Sequence, residues 1–407
     1  MPKLDDWLHA SKRIQDSMLM PYLRDFATAL LDDGYTYLSV KSKLWSLADF
    51  GQWLQKRNFP IRDFDEKLIE SFIKSRRQCR GEVKTLHQFL DHLRRSNIVR
   101  NRKPPPERSP LAKILNRYEE HLQLERGLVR VTIAGYLPFV RKFLVERFRD
   151  QPFRLRKLKA SDVSDFVLRH GRSMAVKRAQ LMTSAFRSFF RFLFHLGKLH
   201  TDLAVSVPTV ANWRLSTVPK YLTPQEVRRV LKGCDRRTSI GRRDYAVLLL
   251  LARLGLRIGE VVALQLGDID WRAGEIMIRG KGSFHDRMPL PCAVGEALTR
   301  YIRQDRPHCP TRQVFVCMRA PRRGFARSTV TTIVHYALQR ANLSPIFKGA
   351  HLLRHSLATS MLRAGATMSE IGEVLRHRVS NTTEIYAKVD FNGLRSLTHP
   401  WPIGGER

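Results

Sequence analysis

The sequence predicts a mainly α protein with a small antiparallel β-sheet, built as helical bundles followed by an α+β domain. Three observations carry that expectation. Through the first half of the chain, apolar residues recur at spacings of three and four, the period of amphipathic helices. Two later stretches alternate instead with β-prone residues, Glu275-Ile276-Met277-Ile278-Arg279 and Asp286-Arg287-Met288-Pro289-Leu290, and Gly280-Lys281-Gly282-Ser283 between them is a turn signal. Two proline-bearing breaks cut the chain into three segments, and 407 residues are enough to bury several cores.

In chain order, residues 1–100 read as a small bundle. Ser39-Val40-Lys41 leads to Leu44, Leu47 and Phe50, and Leu86, Phe89, Leu90 and Leu93 form a second apolar stripe. The basic run Arg100-Asn101-Arg102-Lys103-Pro104-Pro105-Pro106-Glu107 excludes helix and suits an extended linker over 101–107. A second bundle spans 108–205. Its Thr132-Ile133-Ala134 leads to Leu137, Val140 and Phe143 at an offset of 93 from the first bundle, and Phe186, Phe189, Phe190 and Leu193 match at an offset of 100. Either the two segments are a structural duplication or two helical bundles agree by chance. The helix carrying Phe186, Phe189, Phe190, Phe192 and Phe194 reads as packed core in preference to a base-stacking platform. A second linker, 206–219, precedes Thr223-Pro224-Gln225-Glu226, which opens a helix with an N-cap, a first-turn proline and the acid of a capping box. Val247 to Leu254 is nearly all apolar and predicts a buried helix. After the hairpin, helices resume near Cys292 and run, with loops, through the segment 220–400.

Charge narrows the class of partner. Lys and Arg number 72 against 37 Asp and Glu, a formal net charge of +35, and the basic residues spread along the whole chain. That is the footprint of a protein that binds a polyanion, with nucleic acid favoured over an anionic membrane surface or an acidic protein. The excess of Arg suits bidentate phosphate contacts. The N-terminal stretch has no apolar core of signal-peptide type, and the longest aliphatic run, Ala246 to Ala252, is far too short to span a bilayer. Five cysteines (Cys79, Cys234, Cys292, Cys309, Cys317) form no Cys-x-x-Cys pair and read as reduced thiols of a cytoplasmic protein. His308, Cys309 and Cys317 match no zinc spacing, so neither a metal nor a cofactor is expected.

Candidate chemistry is concentrated in the last segment. Arg257 and Glu260, three apart, would share a helical face, where the carboxylate could orient the guanidinium or form a plain surface ion pair. His351, Arg354 and His355 recur at three and four, so two imidazoles and a guanidinium converge on one patch; such a patch is costly unless an anion sits there. Lys281 stands at the tip of the hairpin, from which a long ammonium could reach a DNA groove. His377 and Tyr386 complete the set. A phenol is a poor nucleophile at neutral pH, with a reference pKa of about 10, unless cationic and imidazole groups surround it and the phosphorus it attacks.

In this order, and with His351-Leu352-Leu353-Arg354-His355 supplying a His-x-x-Arg-His motif, the segment resembles the tyrosine recombinases, the family of phage integrases, chromosome-dimer resolvases and transposon-borne integrases. Ala358-Thr359, Ala364-Gly365-Ala366 and Ile385-Tyr386 fit the same pattern. The resemblance implies that Arg257 and Arg354 clamp the scissile phosphate, His351 is the general base or proton relay, and Lys281 is the general acid for the leaving 5′-oxygen. It further implies that His377 hydrogen-bonds the phosphoryl oxygen, Glu260 buttresses the site, and Tyr386 attacks phosphorus to leave a 3′-phosphotyrosyl link. Bond energy is kept in that intermediate, so neither ATP nor a divalent metal is implied. Segment 108–205 would be the core-binding domain, and 1–100 an extra DNA-binding bundle.

By the same resemblance the protein would integrate or transpose a mobile element as a homo-oligomer, a tetrameric synapse on two duplexes, with companion recombinases a further partner class. Phe391, Leu394 and Leu397 could form a tail helix docking on a neighbouring protomer or on its own domain. Two other readings share part of the pattern: a type IB topoisomerase-like relaxing enzyme, and a DNA-binding accessory protein without catalysis. One residue departs from the family, which usually has Gly where Arg376 precedes His377. Either the helix continues there or Arg376 contacts DNA.

Overall fold

The computed structural model describes residues 7, 11–76, 81–99, 109–149, 152–211, 219–280, 285–346, 348–377 and 382–389. The linker 101–107, residues 212–218 of the second break, Lys281 with the tip of the hairpin, and the apolar run Phe391, Leu394 and Leu397 lie outside the described residues. Residue contacts divide the chain into two compact units, one formed by 1–100 with 217–407 and one by 101–216.

In the first unit, residues 11–99 form α1 (Lys12–Gln15), α2 (Met20–Asp32), α3 (Tyr37–Gln55), a 3-10 turn at Ile61–Asp63, α4 (Glu66–Lys74) and α5 (Glu82–Arg95). Side-chain caps set two of the starts: Thr36 accepts the Ser39 N–H at 3.4 Å and Asp65 accepts the Leu68 N–H at 3.0 Å. Leu44, Leu47, Phe50, Phe72, Phe89 and Leu93 are buried in a core of their own. The bundle touches the C-terminal part of its unit where the Arg322 N–H donates to the Asp33 carbonyl at 2.7 Å.

The second unit contains α6 (Pro110–Glu120), prolonged by one wider turn at His121–Glu125, then α7 (Arg130–Arg147), a 3-10 turn at Leu155–Lys157, α8 (Ala160–Gly171) and α9 (Val176–His195). The order helix, long helix, 3-10 turn, helix, helix is that of α2 to α5. Inward-facing positions agree as well. Val40, Leu47 and Phe50 correspond to Ile133, Val140 and Phe143, and Leu86, Phe89, Leu90 and Leu93 to Phe186, Phe189, Phe190 and Leu193, all buried. Shared element order together with shared inward positions favours duplication over chance. Phe186, Phe189, Phe190 and Phe192 pack in the core, whereas Phe194 is 40% exposed.

The C-terminal segment of the first unit opens with α10 (Pro224–Lys232), whose Thr223–Glu226 capping box is closed in both directions, at 3.3 Å and 2.8 Å. Then come α11 (Ser239–Arg253), buried at every position from Ala246 to Ala252, and α12 (Ile258–Ala263). The sheet has the order β1 (Ile269–Asp270), β2 (Glu275–Arg279), β3 (His285–Pro289), all antiparallel, with Ile269 opposite Ile276 and Met277 opposite Arg287. Two residues are too few to show alternation in sequence, so β1 was not foreseen. Ile276 and Ile278 point into the core while Glu275, Met277 and Arg279 do not. Among the described residues there follow α13 (Cys292–Arg300), prolonged by one wider turn at Tyr301–Asp305, α14 (Arg327–Arg340), α15 (His351–Arg363), α16 (Met368–Val374) and a 3-10 segment, Glu384–Val389. Ala358, Ile371, Leu375, Tyr386 and Val389 form a small cluster separate from the main core of this segment. Among the described residues no helix is long and apolar enough to cross a membrane.

Phe143 is 1% exposed, with its ring 5.3 Å from Phe166, 5.4 Å from Phe186 and 5.7 Å from Phe190. Phe143→Ala is expected to cost about 3–5 kcal/mol by leaving a cavity among aromatic rings. Urea unfolding followed by probes in the second unit checks this; a midpoint shift equivalent to less than about 1 kcal/mol would show the site collapsing freely.

Candidate active site

The site begins where α11 ends. Gly255 adopts φ +57°, a backbone conformation that favours glycine, and a Cβ there would require the Leu375 side chain, 2.7 Å away, to shift. Leu256 is buried, and Arg257 follows in extended conformation as the N-cap of α12. Arg257 and Glu260 therefore do not sit side by side on a helical face as their spacing predicts. Instead, the Glu260 carboxylate folds back to accept the Arg257 N–H at 2.8 Å and pairs with its guanidinium Nη1 at 2.8 Å. Nor is this a surface ion pair, because the Glu260 side chain is 5% exposed. Burial alone would raise the Glu260 carboxyl; the Arg257 N–H and the guanidinium groups of Arg376 and Arg257 outweigh it and hold the group below the usual range.

Arg354 lies on the first turns of α15 and is buried. Its Nη1 donates to the Gly255 carbonyl and its Nη2 to the Leu375 carbonyl. Burial, then the nearby Arg257 and Arg376, bring its pKa down to about 10, which leaves it charged at neutral pH. Arg257 donates from Nη2 to the Arg376 carbonyl at 3.3 Å. The turn after α16 thus receives both guanidinium groups on successive carbonyl oxygens.

Tyr386 is 1% exposed, and its Oη lies 2.9 Å from His355 Nδ1. The His377 ring is parallel to the phenol ring at 6.5 Å, and its Nδ1 meets Thr383 Oγ1 at 2.7 Å. Burial, then His351 and Arg354, lower His355 to about 4; burial, then Arg354 and Arg257, lower His377 to about 4. Both imidazoles are neutral at pH 7, so Nδ1 of His355 can accept the phenol proton. The Tyr386 hydroxyl is itself pushed up to about 12 by burial, against the pull of Arg354 and Arg257.

Arg257, Arg354, His377 and Tyr386 are therefore drawn together from four elements. His351 stands one turn before His355, exposed, its ring 6.4 Å from that of His355. The imidazole hydrogen-bonded to the phenol belongs to His355, which the sequence reading placed in the patch but left without a role. Its position four residues after His351 on α15 was the available signal. Gly255 and Thr383 also escaped notice, since neither carries a functional group that marks it in sequence. Lys281 lies outside the described residues. Among the described residues there is no cluster of His, Cys, Asp or Glu arranged to hold a metal ion.

A phenol beside a neutral imidazole and two guanidinium groups suits a class of enzyme that attacks an anionic phosphoester with a tyrosine side chain. Residues 220–392 match the phage integrase family and residues 115–197 the phage integrase N-terminal SAM-like domain. The chain is 42% identical over 385 residues to y4rA of Sinorhizobium fredii (strain NBRC 101917 / NGR234), named as an integrase/recombinase, with 94% of each chain covered. It is 32% identical to the tyrosine recombinase XerD of Mycobacterium tuberculosis, covering 71% of this chain and 98% of that one. Its fold resembles the XerH site-specific recombinase crystallised on palindromic difH substrate, with TM-score 0.57 and 18% identity over 70% of this chain and 83% of that one. The chain belongs to the phage integrase family of tyrosine recombinases, enzymes that cleave and rejoin DNA.

Neutral His355 has a consequence for stability. Between its folded value near 4 and its ordinary value of 6.5, the unfolded chain binds a proton that the folded chain excludes. Its contribution is intact above pH 6.5 and is lost as pH falls toward 4. The difference in melting temperature between wild type and His355→Gln should therefore shrink from pH 7 to pH 4. A constant difference would mean His355 is not held neutral.

Proposed function

We propose that this protein is a site-specific recombinase of a mobile element, and that Tyr386 is the nucleophile that forms a 3′-phosphotyrosyl link and releases a 5′-hydroxyl. The observation that carries this reading is the Tyr386 Oη to His355 Nδ1 hydrogen bond at 2.9 Å, beside the buried charge of Arg354. Arg257 and Arg354 exchange their carbonyl partners for the non-bridging oxygens of the phosphate. An anion bound there favours the protonated imidazole, so His355 gains basicity as substrate arrives. His377 donates to a phosphoryl oxygen. His351, exposed beside His355, passes the proton onward, and Lys281 protonates the leaving oxygen.

Each protomer offers one such tyrosine, and exchanging both strands of two duplexes takes four cleavages; a homotetrameric synapse on double-stranded DNA follows. A companion recombinase could supply two of the four protomers. Segment 108–205 is the core-binding domain that closes on DNA with segment 220–400. Residues 1–100, sharing the element order of that bundle, form a second DNA-binding domain that contacts flanking sequence.

Two experiments bear on this. On a library of nicked suicide duplexes, wild type should accumulate covalent protein–DNA adducts. Tyr386→Phe should form none while binding the captured duplex within about threefold of wild type, since the hydroxyl contributes about one hydrogen bond. Loss of binding in that variant would make the tyrosine structural. Deleting residues 1–100 should shorten the nuclease footprint on the captured duplex; an unchanged footprint would remove the second DNA-binding domain.

A further inference from the structure

Arg376 occupies a position whose backbone conformation opposes it. Helix α16 ends at Val374, and the turn is closed by the Arg376 N–H on the Glu373 carbonyl and the His377 N–H on the Gly372 carbonyl, both at 2.8 Å. In this kind of helix end the residue at Arg376 takes the left-handed conformation that glycine supplies without strain, and Arg376 takes it with φ +54°. The helix does not continue, and the side chain does not turn outward toward DNA. It is 8% exposed and runs into the active site.

There the guanidinium Nη2 pairs with Glu260 Oε2 at 2.9 Å, while Nη1 rests on Met288 Sδ of β3 and donates to the Val374 carbonyl at 3.1 Å. Its Nε is buried without a hydrogen-bond partner. A strained backbone, a buried unpaired donor and a third cation beside Arg257 and Arg354 are all unfavourable for folding alone. They are retained around one carboxylate. Glu260 is faced by Arg257 from the start of α12 and Arg376 from the turn after α16, and it also acts on Arg354 of α15.

We propose that Arg376 is a positioning residue for DNA cleavage: by sharing Glu260 with Arg257, it keeps Arg257 oriented and its charge available to the scissile phosphate. Without Arg376, Glu260 has one guanidinium partner, and its negative charge is directed wholly at the group that must bind the anion. With Arg376, the two guanidinium groups divide the carboxylate, that of Arg257 on Oε1 and that of Arg376 on Oε2, which also accepts the Arg257 N–H. The Arg257 guanidinium, 40% exposed, then keeps a face toward solvent, where a phosphate can approach. The proposal rests on the recombinase reading, and its test separates the two.

The variants are Arg376→Gly, Arg376→Lys, Glu260→Gln and Arg376→Gly with Glu260→Gln, assayed for adduct formation on the captured nicked duplex from pH 5 to 9. Arg376→Gly relieves the backbone strain but removes a buried partner of Glu260, so its rate is compared at a temperature well below its measured melting point. There it should cleave about tenfold more slowly at neutral pH, the equivalent of one charge-assisted hydrogen bond. Its acid limb should lie at higher pH, because Glu260 has lost a cation. Arg376→Lys, keeping charge and strain, should recover most of the rate, and the double variant should be no slower than Glu260→Gln. Wild-type rate and an unmoved acid limb in Arg376→Gly, failure of Arg376→Lys to recover, or multiplying effects of the two substitutions would each overturn the proposal. If wild type itself forms no adduct, the recombinase reading fails separately. The carboxyl titration of Glu260 by 13C NMR then decides: a midpoint moved to higher pH in Arg376→Gly upholds the electrostatic link, and an unmoved one refutes it.

Discussion

The C-terminal segment is organised around positive charge that a folded chain would otherwise avoid. Arg257, Arg354 and Arg376 approach one another closely enough for the charges of Arg257 and Arg376 to lower the pKa of Arg354, with the carboxylate of Glu260 among them. Arg354, the most deeply placed, gives its hydrogen bonds to the carbonyl oxygens of Gly255 and Leu375. Carbonyl dipoles satisfy its N–H groups without cancelling its charge. The site is left with a surplus of positive charge in a setting of reduced dielectric, where an incoming anion is worth more than in water. Neutral imidazoles are a direct result: burial and the same guanidinium groups oppose protonation of His355 and His377, and a neutral imidazole is the form able to accept a phenol proton.

Tyr386 is held differently from the groups that surround it. Arg257 and Glu260 are fixed by helix α12 and Arg354 by α15, whose Leu352 and Leu353 belong to the large apolar core. Tyr386 sits in a 3-10 segment whose burial is supplied by Ala358, Ile371, Leu375 and Val389. A small cluster of this kind opens at lower free energy than a main core. Tyr386 is buried within that cluster, 1% exposed. The architecture thus sets the cationic groups on helices of the main core and Tyr386 in a smaller, separate cluster.

The two bundles illustrate how one helical plan meets two packing problems. The second fills its interior with the rings of Phe143, Phe166, Phe186, Phe189 and Phe190. The first spreads the same role over Phe26, Phe50, Phe64, Phe72 and Phe89 with leucines between them. The order of elements survives this exchange because amphipathic spacing, not the identity of each side chain, sets which face turns inward.

Much of the fold was legible because it rests on local periodicity. The amphipathic stripes of the bundles, the apolar run at Ala246–Ala252, the hairpin strands and the Thr223 capping box all declare themselves within a few residues, where spacing alone decides burial or a turn. Residue type and order likewise singled out Arg257, Arg354, His377 and Tyr386. What sequence could not decide was which groups meet. That His355 holds the phenol depends on how α15 and the last 3-10 segment pack. That Arg257 caps its helix instead of lining it, and that Arg376 turns inward with a glycine-like backbone, depends on the crossing of α11, α15 and α16 at Gly255. Such contacts join elements that are separate in sequence, with 31 positions between His355 and Tyr386 and 116 between Glu260 and Arg376, and they are fixed by side-chain packing and charge in three dimensions, which no local pattern records.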